Sequence, residues 1–573
     1  MKQNYKEVYE SWLKSEKIDA DTRKELEAIK DNDKEIEDRF YKNLEFGTAG
    51  LRGVIGAGTN RMNIYTVRKS TQGLANYILA MGEDAQKRGV AISYDCRNFS
   101  PEFAMESAKV LAANGIKTYV SDELRPTPVL SFMVRKFNCF AGIMITASHN
   151  PAAYNGYKVY GEDGAQLAVE ASNIVLGYIN DMDIFEDVKT VAEDEAKALG
   201  LINMVDEDMI SPYYANVLAG IVNKSEIDAA KDLKIVFTPF HGTGFKPVCK
   251  TLAKAGFENV FAVSEQCVPD GNFSTVKSPN PEEKEGFYLA LDLAEKNGAD
   301  IIVGTDPDAD RVGVFAKDKD GNFAPFTGNQ VGIMLEKYIL DNVKEKSKDD
   351  YVVSTVVSTA LARIIAEKSD VKYYEVFTGF KFIAGIIKDH EDNNLPGRYL
   401  LGFEESYGYL NGTYARDKDA VSATLMICEL AAYCKNRRIT MFDYLENIYK
   451  EYGYFTEKTI SIVMPGVDGM EKMAALMKKT SENPPKQIGD TPVLALRDYN
   501  KSIRYDFLTG EESKIDMEKS NVLYFELDGG FFVLRPSGTE PKVKLYFSVK
   551  CENIDAGQEK IDLLNKKIQE ILL

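Results

Sequence analysis

One stretch of the chain carries several residue types that can do chemistry together: Thr146-Ala147-Ser148-His149-Asn150-Pro151, followed by Asn155-Gly156-Tyr157-Lys158. An apolar run, Ala141 to Ile145, enters the stretch and predicts a short buried strand, so Ser148 lies where strand gives way to loop. A serine hydroxyl is a weak nucleophile unless a base, a metal or a fixed charge assists it, and His149 and Lys158 could assist here. No Gly-x-Ser-x-Gly sequence surrounds the serine, which argues against a hydrolase triad. An ordinary turn is the alternative, since Ser, Asn and Pro are common turn residues.

Three carboxylates, those of Asp306, Asp308 and Asp310, follow the apolar run Ile301–Thr305, which predicts another buried strand. They lie at its carboxyl end, where open α/β sheets place ligands, and alternate positions of an extended segment share one face. Crowded carboxylates repel unless a cation sits between them, and an all-oxygen set favours Mg²⁺, Ca²⁺ or Mn²⁺ over zinc. An EF-hand is excluded because its sixth position is Arg311 instead of glycine. A solvated acidic turn is the alternative, which the adjoining apolar strand disfavours.

Two further segments supply groups that suit phosphate. The segment Phe46–Gly53 contains three glycines, which allow a ligand to approach the backbone closely, and its arginine, Arg52, offers a planar guanidinium. The segment Arg535–Pro541 combines an arginine, two hydroxyls and backbone amides freed by glycine, between two predicted strands. Taken singly, the alternatives are a flexible glycine turn and a polar hairpin loop.

Two other segments could contact a sugar or an anion. Glu404 and Ser406, two residues apart after the apolar run Tyr399–Phe403, could both point at sugar hydroxyls, although a surface turn is the alternative. The sequence Thr378-Gly379-Phe380-Lys381 opens a predicted helix, and a helix N-terminus can receive an anion.

The elements that must position these groups alternate between strand and helix, which predicts largely parallel sheets covered by helices. The alternation occurs three times along the chain, with strands predicted at Val90–Tyr94, Ile116–Val120, Ala141–Ile145, Lys234–Thr238, Val260–Val263, Ile301–Thr305, Val352–Thr355, Tyr373–Val376 and Tyr399–Phe403. After Tyr454 the predicted strands are antiparallel, and Asp528-Gly529-Gly530 is a hairpin turn. Residues 1–45 suit amphipathic helices, the acidic residues 183–205 suggest a connecting region, and the long apolar segment Ala420–Tyr449 is predicted to be helical.

A chain of 573 residues is too long for one core and should divide into several domains. We expect three similar α/β domains with mixed, largely parallel sheets, followed by a C-terminal α+β domain, around one central cleft. The predicted boundaries are 1–205 with the serine loop, 206–323 with the metal loop, 324–450 with the sugar loop and 451–573 with the phosphate loop.

Composition excludes some classes of partner. The net charge of −18 argues against nucleic acid and anionic membranes, which both need a basic surface. Seven cysteines without a Cys-x-x-Cys pair suggest reduced thiols, and neither a secretory leader nor a membrane-spanning stretch is visible. We therefore expect a cytoplasmic protein.

Four motifs, in this order, resemble those of the α-D-phosphohexomutase superfamily over essentially the whole chain: Thr146–Pro151 with Lys158, Asp306–Arg311, Glu404–Ser406 and Arg535–Thr539. The Glu-Glu-Ser motif and the segment Phe46–Gly53 are most similar to the branch that contains phosphoglucomutases and phosphopentomutases. Two departures are visible. The metal loop reads Asp-Pro-Asp-Ala-Asp where many relatives have Asp-Gly-Asp-Gly-Asp, which keeps the ligands and stiffens the loop. Tyr407-Gly408 replaces the Gly-His of phosphomannomutase-type relatives, which weakens a mannose assignment.

The resemblance implies an intramolecular phosphotransferase that interconverts glucose 1-phosphate and glucose 6-phosphate, with glucose 1,6-bisphosphate as intermediate and activator. Ser148 would be carried as phosphoserine, and one of its oxygens and the three aspartates would hold one Mg²⁺ per chain. Lys158 would accept the proton, with Arg52, His149 and Arg311 stabilising charge. The residues expected to bind substrate are Arg311, Thr378, Gly379, Lys381, Glu404, Ser406, Arg535, Ser537, Gly538 and Thr539.

Several alternatives stay open. Phosphopentomutase or phosphomannomutase activity would use the same scaffold, and a metal-dependent sugar phosphatase or a non-catalytic sugar-phosphate sensor would belong to other classes. The presence of all the chemical groups disfavours a sensor, and a second phosphate-binding loop disfavours a phosphatase. The expected partners are small sugar phosphates, without nucleic acid or membrane, bound by a monomer or homodimer.

Overall fold

The computed structural model describes residues 4–47, 50–464, 469–537 and 542–572, in a chain that divides into two compact units. The first comprises Met1–Phe326 with Ile387–Asn393 and Tyr407–Arg438, and the second comprises Thr327–Ile386, Asn394–Ser406 and Ile439–Leu573. Within the described ranges, no helix is both long enough and apolar enough to cross a membrane.

Three short helices begin the first unit: α1 Tyr5–Lys14, α2 Ala20–Ala28 and α3 Asp33–Phe40. Their apolar faces bury Trp12, Leu26 and Phe40 in one cluster with Tyr65. The amphipathic helices predicted for residues 1–45 are confirmed, and this cluster is the reason for their spacing of apolar residues.

The first sheet has the strand order β1-β5-β4-β2-β3-β6. Its elements are β1 Gly50–Val54, α4 Ile64–Ala80, α5 Glu83–Arg88, β2 Val90–Tyr94, α6 Ser100–Ala113, β3 Thr118–Ser121, α7 Thr127–Lys136, β4 Ala141–Ile145, β5 Tyr154–Tyr160, α8 Val169–Asn180, α9 Glu193–Ala198 and β6 Ile202–Val205. Strands β4, β2, β3 and β6 are parallel neighbours, whereas β5 pairs antiparallel with β4 and β1. Residues 183–205 are more than the predicted connecting region, because their last residues form a strand whose only buried residues are Ile202 and Val205.

The second sheet has the order β11-β10-β9-β7-β8. The elements of this region are α10 Glu207–Ala219, α11 Lys224–Ala229, β7 Lys234–Thr238, α12 Phe245–Ala255, β8 Asn259–Ala262, α13 Tyr288–Asn297, β9 Ile301–Thr305, β10 Val312–Lys317 and β11 Phe323–Pro325. Strand β7 is parallel to β8 and β9, while β10 runs antiparallel to β9. The predicted metal loop is therefore the turn of the β9–β10 hairpin.

The second unit begins with a third region in which helices alternate with parallel strands. Its elements are α14 Gly328–Asn342, β12 Tyr351–Thr355, α15 Ala360–Lys368, β13 Lys372–Val376, α16 Phe380–Asp392 and β14 Tyr399–Glu404, of which the end of α16 lies in the first unit. Strand β12 pairs in parallel with β13 and β14.

The helical structure predicted for Ala420–Tyr449 is confirmed, but it is divided between two helices. The chain forms β15 Gly408–Leu410, α17 Ala420–Asn436 and a separate helix α18 Met441–Tyr452. The break falls at Arg438, whose φ is 57°, and Thr440 starts the new helix with a capping box.

The C-terminal sheet is antiparallel, in the order β16-β23-β22-β21-β18-β19-β20. Its elements are β16 Tyr454–Val463, α19 Gly469–Glu482, β17 Gln487–Ile488, β18 Thr491–Asp498, β19 Ile503–Asp506, β20 Glu512–Lys514, β21 Leu523–Leu527, β22 Gly530–Pro536, β23 Lys542–Cys551 and α20 Ile554–Leu572. Leu527 pairs with Gly530, as the predicted hairpin turn requires. The fold class is confirmed, while the domain boundaries at 205, 323 and 450 remain predictions.

Candidate active site

Ser148 is buried in the loop that joins β4 to β5. Its φ is 51°, in the left-handed region that residues with a side chain seldom adopt. Its Oγ donates a hydrogen bond to Oδ2 of Asp306 over 2.8 Å and lies 3.2 Å from Nδ1 of His149. The predicted nucleophile therefore touches the first of the predicted metal ligands.

Strands β5 and β1 bring two predicted cations to the same loop. Lys158 lies on β5, and Arg52 on β1 stands opposite Gly156 of β5. A Cβ at Gly156 would lie 2.4 Å from the carbonyl oxygen of Thr146, so this close approach needs glycine. The exposed Arg52 donates from Nη1 to Oδ1 of Asn150 over 3.0 Å.

The three aspartates are buried in the β9–β10 turn, and one oxygen from each lies within 4.8 Å of the others. Oδ1 of Asp306 accepts the backbone N–H groups of Asp310 and Arg311, both over 3.0 Å. These bonds fold the loop around its first carboxylate and aim all three aspartates inward.

The donor set fits a divalent cation. Oδ1 of Asp308 and Oδ1 of Asp310 are buried without a hydrogen-bond partner in the described part of the chain. Buried carboxylate oxygens are costly when unsatisfied, and a cation among them would remove that cost. Since every ligand atom is oxygen, the residues suit Mg²⁺ and do not suit zinc.

The aspartates have unequal affinities for protons. Burial raises the pKa of Asp306 well above its ordinary value, and the carboxylates of Asp308 and Asp310 raise it further. Burial also acts to raise the pKa of Asp308, but Lys158 and a hydrogen bond from Thr127 hold it below its ordinary value. The bonds to Asp308 Oδ2 from Lys158 Nζ and Thr127 Oγ1 are both 2.9 Å long.

Lys158 is a partly buried ammonium group. Burial acts to lower its pKa, but the carboxylates of Asp308 and Asp310 outweigh that effect and raise it. The lysine is therefore charged in this structure and must lose a proton before it can act as the predicted proton acceptor.

His149 is a neutral imidazole. Burial, followed by the nearby cations Arg311 and Arg52, lowers the pKa of His149 to about 2. The ring can therefore offer a hydrogen bond to a phosphoryl group but no positive charge. Arg311, the predicted cation beside it, pairs through Nη1 with Glu282 over 2.8 Å.

In the second unit, the structure joins two of the predicted substrate segments. Oε1 of the buried Glu404, at the end of β14, accepts the N–H of Gly379 over 2.7 Å, just before α16 begins. Thr378, Lys381 and Ser406 are partly exposed around this contact. A carboxylate, two hydroxyls and an ammonium are thereby presented from two neighbouring loops.

The predicted phosphate loop begins on β22. Arg535 stands opposite Lys544 of β23, and its Nη1 lies 3.4 Å from the hydroxyl of Tyr546. The N–H of Ser537 donates to the carbonyl of Lys542 over 2.8 Å. The other two predicted phosphate ligands, Gly538 and Thr539, lie outside the described residues.

Known proteins match this chain along most of its length. The family models for phosphoglucomutase/phosphomannomutase alpha/beta/alpha domains I, II and III match residues 43–183, 211–321 and 327–452. A phosphoglucomutase of Staphylococcus aureus (strain bovine RF122 / ET3-1) is 40% identical over 532 residues, which cover 92% of this chain and 94% of that protein. The chain belongs to the phosphoglucomutase/phosphomannomutase family. The predicted membership of the α-D-phosphohexomutase superfamily is thereby confirmed.

Solved structures share the family fold. The phosphoglucomutase pp63/parafusin of Paramecium, in its open form, aligns over 92% of this chain and 95% of its own with a TM-score of 0.69 and 18% identity. A putative phosphomannomutase of Thermus thermophilus covers 92% of this chain and 99% of its own, with a TM-score of 0.66 and 20% identity. At these identities the likeness establishes the fold.

The phosphoglucomutase/phosphomannomutase site contains groups that sequence reasoning missed. Nζ of Lys418 lies 3.2 Å from Oδ2 of Asp310 and 3.0 Å from Oδ1 of Asp417, a carboxylate that also accepts the hydroxyl of Tyr160 over 2.8 Å. A second lysine therefore contacts the aspartate cluster. The signal was the charged run Arg416-Asp417-Lys418-Asp419 directly before the apolar helix α17, since charged residues that are buried beside such a helix must be paired.

Proposed function

We propose that this enzyme of the phosphoglucomutase/phosphomannomutase family interconverts glucose 1-phosphate and glucose 6-phosphate, with Ser148 as the carrier of the phosphoryl group. The observation that carries the proposal is the hydrogen bond from Ser148 Oγ to Asp306, because it sets a nucleophile against an all-oxygen cation site. The choice of glucose is supported by the similarity to the Staphylococcus aureus phosphoglucomutase.

In this mechanism, Asp306, Asp308, Asp310 and an oxygen of the phosphorylated Ser148 would hold one Mg²⁺. When bound, the ion would neutralise charge on the phosphoryl group as it moves. Phosphoserine gives its phosphoryl group to the free hydroxyl of the sugar phosphate, and the resulting glucose 1,6-bisphosphate returns its other phosphoryl group to Ser148.

The side chains around Ser148 have separate roles. The exposed guanidinium of Arg52 and that of Arg311 bind phosphoryl oxygens, while the neutral His149 donates a hydrogen bond. Lys158 exchanges a proton with the sugar hydroxyl, and the carboxylate of Asp308 keeps its Nζ in place.

Two further groups of residues bind the unreactive end of the substrate. Glu404 and Ser406 bind the sugar hydroxyls, while Thr378, Gly379 and Lys381 contribute polar groups beside them. The distal phosphate is bound by Arg535, Ser537, Gly538 and Thr539. The partners are small sugar phosphates, and the monomeric or homodimeric state and the cytoplasmic location are further proposals that gel filtration and cell fractionation can check.

The test is a product assay with glucose 1-phosphate, Mg²⁺ and a trace of glucose 1,6-bisphosphate. Glucose 6-phosphate is the expected product, free phosphate would indicate a phosphatase, and no product would indicate a sensor. Parallel reactions with ribose 1-phosphate and mannose 1-phosphate decide the sugar. A higher kcat/KM for either of them than for glucose 1-phosphate would overturn the glucose assignment.

A further inference from the structure

Arg97 is a fully buried arginine beneath the serine loop. Its Nη1 donates to the carbonyl oxygens of Pro151 and Tyr154 over 3.0 and 2.9 Å. Its Nη2 donates to the carbonyl oxygens of Ser148 and Asn150. One guanidinium therefore gathers four carbonyl groups of the loop that carries the nucleophile.

Asp95, also fully buried, is the second side chain that supports the serine loop. Its Oδ1 accepts the backbone N–H of Arg97 and the hydroxyl of Ser100, both over 2.9 Å. Its Oδ2 accepts the hydroxyl of Thr146 over 2.6 Å, and Thr146 Oγ1 in turn accepts the backbone N–H of Ser148 over 2.8 Å. Both backbone polar groups of Ser148 are thus held by side chains, the N–H by Thr146, which is bonded to Asp95, and the carbonyl by Arg97.

The backbone conformation of Ser148 explains why these supporting hydrogen bonds are needed. A serine at φ 51° is disfavoured relative to the right-handed and extended regions, so the surrounding contacts must hold it there. The left-handed turn is also what aims its Oγ at Asp306.

We propose that Arg97, Asp95 and Thr146 form a clamp that fixes the backbone of Ser148 in the left-handed conformation and so positions its Oγ for phosphoryl transfer. The clamp residues are positioning residues, since none of them reaches Asp306. The proposal rests on the proposed function for its catalytic consequence, but the conformational claim stands on the contacts alone.

Arginine at position 97 should be irreplaceable by lysine. A guanidinium spreads its donors over a planar fork, whereas lysine offers three donors from one atom and cannot span four carbonyl oxygens. The guanidinium also lies 5.0 Å from the ring centroid of Phe273, a contact that favours a flat cation. Arg97→Lys therefore keeps the charge and loses the clamp.

The first experiment compares Arg97→Lys with Arg61→Lys in the full-length chain. Arg61 is also buried but bonds Asp38 and Asn60, away from the serine loop. We expect kcat for glucose 1-phosphate to fall on the order of 100-fold in Arg97→Lys, with KM changed less than about threefold, because misplacing a reacting group costs turnover. Arg61→Lys should keep its kcat. A kcat for Arg97→Lys within about threefold of wild type would overturn the clamp.

Thr146 provides a second test that leaves every buried charged side chain unaltered. Thr146→Val keeps the shape and removes the hydroxyl that links Asp95 to the N–H of Ser148, while Thr146→Ser keeps that hydroxyl. We expect Thr146→Val to lose kcat and Thr146→Ser to recover most of it. Equal kcat values in the two variants would overturn the role of the hydroxyl.

A crystal structure of Thr146→Val separates the clamp from the proposed function. We expect Ser148 to leave the left-handed region and its Oγ to move away from Asp306. An unchanged φ and an unchanged contact would overturn the clamp whatever the wild-type enzyme catalyses. A wild-type protein inactive on every sugar phosphate would instead overturn the proposed function and leave the conformational result to decide the clamp.

Discussion

The hydroxyl of Ser148 lies 2.8 Å from a carboxylate oxygen of Asp306, although 158 positions separate the two residues in the chain. The two ends of this contact come from different sheets, one at the end of β4 and the other at the end of β9. We propose that this contact places a nucleophile against a cation ligand for phosphoryl transfer, and the first two predictions test each end of the contact.

Ser148→Ala should abolish nearly all mutase activity and leave the fold intact, because the hydroxyl carries the phosphoryl group and its loop lies outside the apolar core. Steady-state turnover and intact-mass measurement of phosphorylation check this. Ser107→Ala, which removes another buried hydroxyl on α6, is the control and should keep its activity. More than a small fraction of wild-type turnover in Ser148→Ala would exclude the phosphoserine mechanism.

Removal of the metal should abolish activity, and Asp308→Asn should weaken Mg²⁺ binding at least about tenfold, since one of three negative ligands is lost. Titration of the apo-protein with Mg²⁺ by calorimetry measures this directly. Asp292→Asn, on α13 and outside the aspartate cluster, is the control with unchanged affinity expected. Full activity after exhaustive EDTA treatment would contradict the assignment of the aspartates.

Local sequence predicted the parts of the site that follow directly from a strand. Ser148 and Asp306 each come after an apolar run, and β4 and β9 were predicted with their observed bounds. The contacts of Lys418 and the clamp by Arg97 were not predictable, because each depends on segments that meet only in the folded chain. The sequence around Arg97 has no distinctive motif. Its proposed role in holding the serine loop follows only from its burial and its four carbonyl partners in the folded chain.

Arg535→Ala should weaken substrate binding by about 1.5–3 kcal/mol, or about ten- to a hundredfold, because a charge-assisted contact to the distal phosphate is lost. KM should rise, and kcat should fall as well if remote binding energy orients the reacting end. Phosphorylation of Ser148 should persist. Steady-state kinetics measures the effect, with Lys514→Ala, at an exposed lysine on β20, as the control. Unchanged kinetics for Arg535→Ala would mean that the Arg535 loop is only a hairpin connection and does not bind phosphate.

Glu405 should give substrate binding a dependence on pH. Burial and the neighbouring Glu404 raise the pKa of Glu405 to about 7, while Arg535 and Lys544 oppose the rise. Above pH 7 its negative charge should compete with the substrate phosphate for Arg535, and Glu405→Gln removes that charge. The ratio of the variant's KM to the wild-type KM should be near one at about pH 6 and below one at about pH 8, and this ratio cancels the titration of the substrate. A ratio independent of pH would contradict the prediction.

The last prediction concerns the buried Glu336 on α14, a helix of the second unit. Neither carboxylate oxygen has a hydrogen-bond partner within the described ranges, and burial raises the pKa of Glu336 well above its ordinary value. The folded chain therefore holds this group protonated, while the unfolded chain releases the proton above about pH 4.5. Its contribution to the free energy of unfolding is fully present below that pH and declines as the pH rises toward the folded pKa, by up to about 1.4 kcal/mol per pH unit.

Glu336→Gln should abolish this decline, since the amide does not titrate, and Glu336→Met should stabilise the chain at pH 8 by about 1–3 kcal/mol because it removes unsatisfied buried oxygens. Urea unfolding at about pH 5 and pH 8 measures both effects as differences from wild type, so that the titration of other groups cancels. Glu367→Gln, at an exposed position on α15, is the control and should follow the wild-type pH dependence. If Glu336→Gln and wild type lost the same stability between these two pH values, Glu336 would have to be ionised in the folded chain, with a partner that satisfies its charge.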